Sequence, residues 1–220
     1  MTEQEYRLRV VNAAQAWLGA VKGDARHREI IDLYNTIKPL PRGVRMSYTM
    51  DWCAATVSAV FQAAGLIDLI PPECSCGLML RGAQRMGIWV EKDDYRPQLG
   101  DIVLYDWQDT GVGGNTGAPD HVGIVTNLEG DKFCVTEGNM GPPSHVGTRN
   151  MYINGRFIRG FICPDFASMA TADKPEPWYA KAVAYCKEKG YMEDDTRPLD
   201  GITRAEVAQV IYNIMGKEDK

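Results

Sequence analysis

The sequence predicts an α+β fold, with helices in the first half of the chain packed on a mostly antiparallel sheet built by the second. Two observations carry this. Apolar residues recur at helical spacing as far as Met86, and beyond Pro97 the period falls to two. The strand-like segments also follow one another through tight turns and do not alternate with helices, as a parallel sheet would require. A chain of 220 residues, 45% hydrophobic and 24% charged, has the composition of a packed globular protein. Its length suits one catalytic domain and a small appendage.

Each element has a local reason. Over Glu5 to Leu18 the residues Leu8, Val11, Ala14 (or Gln15) and Leu18 form a stripe, and Gly19 stops the helix. Asp24 caps a helix over Ala25 to Asn35, with Ile30, Ile31 and Tyr34 facing inward. The Pro/Gly-rich segment Pro39 to Arg45 is a loop. Asp51 is a candidate cap for a small-residue helix running from Cys53 through Phe61 towards Gly65, and a further helix covers Leu78 to Met86. Strands are expected over Asp101 to Tyr105, His121 to Thr126, Lys132 to Thr136 and Arg156 to Ile162. Gly111 to Ala118 lacks the Gly-Lys-Ser/Thr end of a phosphate loop and reads as a mobile loop beside the site. Residues 167–177 read as a linker, which makes 1–166 the main domain. Residues 178–216 read as a helical hairpin whose second helix carries the capping box Thr203 and Glu206.

Composition excludes several classes. A net charge of -5 does not suit a nucleic-acid partner, which calls for a basic face. No apolar run reaches the roughly 18 residues of a membrane span. The N-terminus MTEQEYRLRV has no signal-peptide pattern, so cytoplasmic synthesis with six free thiols is expected. Cys74 and Cys76 lack the further ligands of a zinc site and read as small residues in a turn after Pro71 and Pro72. Neither a metal nor a cofactor is expected.

The chemistry centres on Cys53. A cysteine in the first turn of a helix meets unsatisfied N–H groups and the positive end of the helix dipole, which favour the thiolate. His121 opens an apolar strand after the glycine-rich loop and is the candidate base. Phe133, Val135, Glu137 and Asn139 alternate onto one face of the next strand. If the Asn127 to Lys132 connection holds a three-residue loop, Asn139 stands across from His121, and a five-residue loop brings Glu137 there. Either acceptor would orient the imidazole.

Four ordered blocks then resemble a known family: Trp52-Cys53 at a helix start, Pro97 to Tyr105 with its Gly-Asp-Ile-Val-Leu-Tyr, Asp120-His121-Val-Gly-Ile-Val, and Glu137-Gly-Asn139. Over residues 5–165 they look like the CHAP family of cysteine- and histidine-dependent amidohydrolases/peptidases, papain-like relatives of the NlpC group that cleave peptidoglycan. The resemblance implies a papain-like fold with Cys53 as nucleophile, His121 as general base, Glu137 as orienting acid and Asn139 as an accessory polar group. Tyr48 and Trp52 are candidates for lining the cleft by position alone. The acidic cluster of the calcium-binding members is missing before Cys53, so no calcium is expected, and His27 is expected at the surface.

The tail, with Trp178 to Val183 and Ile202-Thr203-Arg204-Ala205-Glu206, resembles one S-layer homology repeat. That implies secondary cell-wall polysaccharide as a partner, through Trp178 and Arg204, or self-association through the repeat. The whole then resembles a prophage endolysin, made in the cytoplasm and acting on peptidoglycan after release. The alternatives are a wall-binding module with a vestigial site and an amidase for small non-wall amides.

Overall fold

A computed structural model of the chain describes residues 1–111 and 114–172 and, beyond them, Tyr185, Glu188 and Lys189. The chain divides into two units, Met1–Asp173 and Lys174–Lys220, and the first unit comprises a set of helices and a single sheet. The expected hairpin over 178–216, with Trp178 and Arg204, lies outside the described residues.

Helix α1, Glu3–Ala16, opens on a capping box in which Thr2 and Glu5 bond each other's backbone N–H. Its buried stripe is Tyr6, Val10 and Ala14, flanked by Arg7 and Val11, while Leu8 and Leu18 are exposed. The expected stripe is therefore rotated. Arg7 lies on the buried side and donates to Leu99 O at 2.8 Å and to Asp101 at 3.1 Å. Helix α2, Ala25–Tyr34, is capped by Asp24 as expected, and Ile30, Ile31 and Tyr34 are buried.

Helix α3, Cys53–Ala63, is buried along its first nine residues. Asp51 does not cap it: the cap position is Trp52, with no side-chain bond to the helix. Helix α4, Cys76–Met86, starts two residues before the expected position. Helix α5, Phe166–Ala172, occupies the start of the expected linker, because buried Phe166 anchors it between the Phe61 ring and the Arg7 guanidinium.

Six antiparallel strands form one sheet in the order β1-β6-β2-β3-β4-β5. They are β1 Trp89–Val90, β2 Ile102–Tyr105, β3 His121–Glu129, β4 Lys132–Met140, β5 His145–Tyr152 and β6 Ile158–Ile162. With the five helices this is the α+β arrangement the sequence predicted. Strand β5 has no counterpart in the sequence reading, since it lies at the sheet edge and buries only Val146. Alternation divides the apolar residues between two layers. Ile102, Leu104, Val122 and Ile124 pack with the helices. Val103, Tyr105, Val125, Phe133 and Val135 form a second cluster on the other face.

The β3–β4 hairpin does not have the odd loop the sequence reading required. Glu129 pairs with Lys132, so the turn is the two residues Gly130 and Asp131. An even turn alone would put His121 and Glu137 on opposite faces. The register shifts once, between Val125 and Asn127, where Thr126 is the extra residue of a β-bulge and bonds Thr136 through its hydroxyl at 2.9 Å. Beyond it Ile124 pairs with Thr136, and the faces agree again. The bulge supplies the odd residue that the turn lacks.

Strand β4 runs close to α3. A Cβ on Gly138 would collide with Thr56 Oγ1 and lie 2.8 Å from Thr56 Cβ. Thr56 is buried and bonded to Trp52 O, so it has little room to retreat. Gly138→Ala is expected to cost about 1–3 kcal/mol through overpacking. Urea denaturation checks this, and an unchanged midpoint would show that the contact yields freely.

Candidate active site

Cys53 is the first residue of α3 and is 8% exposed. His121 is the first residue of β3 and is equally covered. Their apposition follows from α3 and β3 beginning side by side, so a strand start meets a helix start. His121 Nε2 lies 3.0 Å from Glu137 Oε2, which leaves Nδ1 for the Cys53 sulfur. Glu137 is fully buried. It reaches His121 diagonally, passing over Gly123, which stands at the paired position in this register. A Cβ on Gly123 would come within 2.6 Å of Glu137 Cγ. Glycine there opens the path for the carboxylate.

Arg149 on β5 completes the charge balance, its Nε donating to Glu137 at 3.0 and 3.1 Å. The guanidinium lies 4.9 Å over the Trp107 ring. Tyr105 and Trp107 stack on each other at 4.7 Å, with His121 beside them at 5.9 and 6.2 Å. Asp120 holds this corner by accepting the Trp107 N–H and donating its own to Tyr105 O.

The electrostatics favour an ion pair. The Cys53 thiol is drawn down to about 5: the Cys76 thiol, its sulfur 3.6 Å away, and then His121 and the Ala54 N–H outweigh burial. For His121, burial opposes the charge, but Cys53 and Glu137 prevail and raise it to about 9. Burial likewise opposes ionisation of Glu137, yet His121 and Arg149 hold it below its ordinary value. For Cys53 and His121 both directions favour a thiolate facing an imidazolium.

Not every predicted residue stands at this centre. Asn139, near the end of β4, has φ of 60° at an irregularity of the strand, and its side chain goes to Asp51 and Ser144. It donates to Asp51 Oδ1 at 3.2 Å and accepts from Ser144 at 2.6 Å, while Ser144 accepts the Trp52 indole N–H at 2.8 Å. Trp52 is fully buried, with its ring edge-on to His27 at 4.6 Å, so it lines no cleft. Tyr48 is exposed, and its hydroxyl donates to Asp32 on α2. His27 is fully buried, contrary to expectation. It accepts the Gly23 N–H through Nδ1, and burial lowers its pKa, so it is a neutral core residue. The described part of the glycine-rich loop is tied down, Gly117 O accepting from Arg159.

Three contributors escaped the sequence reading. Arg149 sits on the unread strand. Cys76 looked like a turn residue, yet it opens α4 and faces Cys53, whereas Cys74 faces Arg42 at 3.5 Å. Gly123 carried its signal openly in His-Val-Gly-Ile-Val, as a glycine inside a strand. Among the described residues no group of three or more His, Cys, Asp or Glu is placed to hold a metal ion. None of the described helices is long and apolar enough to cross a membrane. A surface groove along α2, lined by Arg28, Glu29 and Asp32, includes none of the three central residues.

The segment that holds these residues has relatives. Residues 45–139 match the CHAP domain family. The CHAP match takes in Cys53, Cys76, His121 and Glu137, and stops short of Arg149. No curated protein matches the chain. Among solved structures it is similar to an NlpC/P60 family protein from Bacillus cereus ATCC 10987, at 14% identity over 71% of this chain and 39% of that one, with a TM-score of 0.41. It is also similar to Ly7917, at 16% identity over 72% of this chain and 62% of that one, TM-score 0.39. Ly7917 with the hydrolysing product of MDP gives 17% identity, with the same shares and a TM-score of 0.40. The chain thus spans less than two thirds of each of these chains.

Two substitutions probe the His121 support. Glu137→Gln removes the carboxylate that stabilises the imidazolium, so His121 should titrate at least about one unit below its value of about 9. Gly123→Ala should act in the same direction by displacing the Glu137 side chain. NMR titration of the His121 ring protons measures both, and an unmoved midpoint in Glu137→Gln would refute the assigned pairing.

Proposed function

We propose that the chain is a cysteine amidohydrolase/peptidase that cleaves an amide bond of peptidoglycan through a thioester on Cys53. The observation that carries the reading is the His121 ring held at 3.0 Å by buried Glu137 while its other face serves a cysteine at a helix N-terminus. The CHAP match over the same residues supports the wall substrate.

In this mechanism the Cys53 thiolate attacks the amide carbonyl, and the carbonyl oxygen gains the negative charge. The Cys53 backbone N–H, one of the unpaired donors at the start of α3, stabilises that oxyanion. The His121 imidazolium gives its proton to the departing amine as the C–N bond breaks, leaving an acyl thioester. Neutral His121 then takes a proton from water, whose oxygen attacks the thioester and regenerates the thiolate. Glu137 keeps its negative charge throughout, holding the ring and stabilising each imidazolium state.

Cys53→Ala should reduce amine release from purified cell walls by about a thousandfold or more. Undiminished release would end the assignment. The pH dependence has a definite sign. Below about 5 the thiolate is protonated and the nucleophile is lost, and above about 9 His121 loses the proton the amine needs. kcat/KM should therefore follow a bell with those limbs, which belong to the coupled pair. A profile with no acid limb between about pH 4 and 7 would contradict it.

A further inference from the structure

We propose that the Cys76 thiol is the hydrogen-bond donor that holds the Cys53 sulfur as a thiolate, and that Cys76 stays protonated through the reaction. This rests on Cys53 being the nucleophile.

The geometry is that of a built pair. Two buried sulfurs, each the first residue of its own helix, face each other at 3.6 Å. Two thiolates so close would repel strongly, so the pair carries one negative charge and keeps one proton. Which sulfur keeps the proton follows from the surroundings. Cys53 faces the His121 ring from β3 and the Ala54 N–H of its own helix, both favouring the anion. Cys76 has no cation among its influences: the Cys53 hydrogen bond, burial and the Asp120 carboxylate all push its thiol up, against only its own backbone N–H. Behind His121 stands Glu137 on β4, which favours the imidazolium, while Arg149 on β5 pairs with that carboxylate. Proton and charge therefore separate across the two sulfurs, with Cys76 S–H donating to Cys53 S⁻. A thiol is a weak donor to neutral acceptors and a better one to an anion.

The contact also bears on the chemistry. A donor whose sulfur lies 3.6 Å from the Cys53 sulfur lowers the energy of the resting thiolate, and it is available again when the thioester collapses and the sulfur leaves as an anion. A structural cysteine filling space would do neither, which makes the role testable through protonation.

The test compares the full chain with Cys76→Ser, Cys76→Ala and Cys76→Val, each confirmed folded by thermal melting. Iodoacetamide labelling of Cys53 is followed from about pH 4 to 10 by peptide mass spectrometry, which separates Cys53 from Cys76. In Ala and Val the midpoint should rise, with labelling near pH 6 falling about tenfold, while Ser should stay within about threefold of the parent chain. Val fills the space without a donor, so it serves if Ala does not fold, and Ala serves if Val does not. A parental midpoint in whichever of these folds, or an equal loss in Ser, overturns the proposal. If the parent chain itself labels with an ordinary thiol midpoint near about 8.5, the nucleophile assignment fails first.

Discussion

Glu137 carries a negative charge where no water reaches it, and such a charge costs several kcal/mol unless opposite charge and hydrogen bonds replace its hydration. His121 and Arg149 supply the replacement, one from each neighbouring strand. The requirement propagates outward. Glycine at 123 keeps the route to His121 open, and the stack of Tyr105 and Trp107 beneath Arg149 holds the guanidinium over the carboxylate. The imidazolium that results favours a thiolate at the largely buried Cys53.

A second set of contacts fixes the other partner. Asn139, Ser144 and the Trp52 indole form a chain of hydrogen bonds from the end of β4 to the residues just before Cys53, with Asp51 tied to the same asparagine. This brace and the close approach of Gly138 to Thr56 set the start of α3 against the sheet. Asn139 thus helps to hold the start of α3. The left-handed backbone at Asn139, a conformation asparagine tolerates better than most residues, lets the side chain reach Asp51 and Ser144.

The fold class and the central pair were legible because they depend on local pattern. A helix start, a strand start and a two-residue alternation can each be read from neighbouring residues, and Cys53, His121 and Glu137 sit on those features. What was not legible depends on long-range contact. Arg7 is buried on α1 with its charge met by Asp101, 94 positions away. His27 is buried because Trp52 covers it, and β5 has no apolar alternation because it is an edge strand. Cys76 shows nothing in its own neighbourhood, since its meaning lies in a second helix start pointing at the first.

The bulge at Thr126 gives the hairpin an arithmetic of its own. The two-residue turn and the single bulged residue are each out of step with the pairing of His121 and Glu137 on one face, and together they cancel. What matters between those two residues is parity, so lineages and engineers alike are free to alter the hairpin in compensated steps. A lone insertion or deletion there leaves composition, length and hydrophobicity almost unchanged, yet it would put His121 and Glu137 on opposite faces. Two sequences nearly identical across this segment would then differ in whether the buried carboxylate meets its imidazole at all.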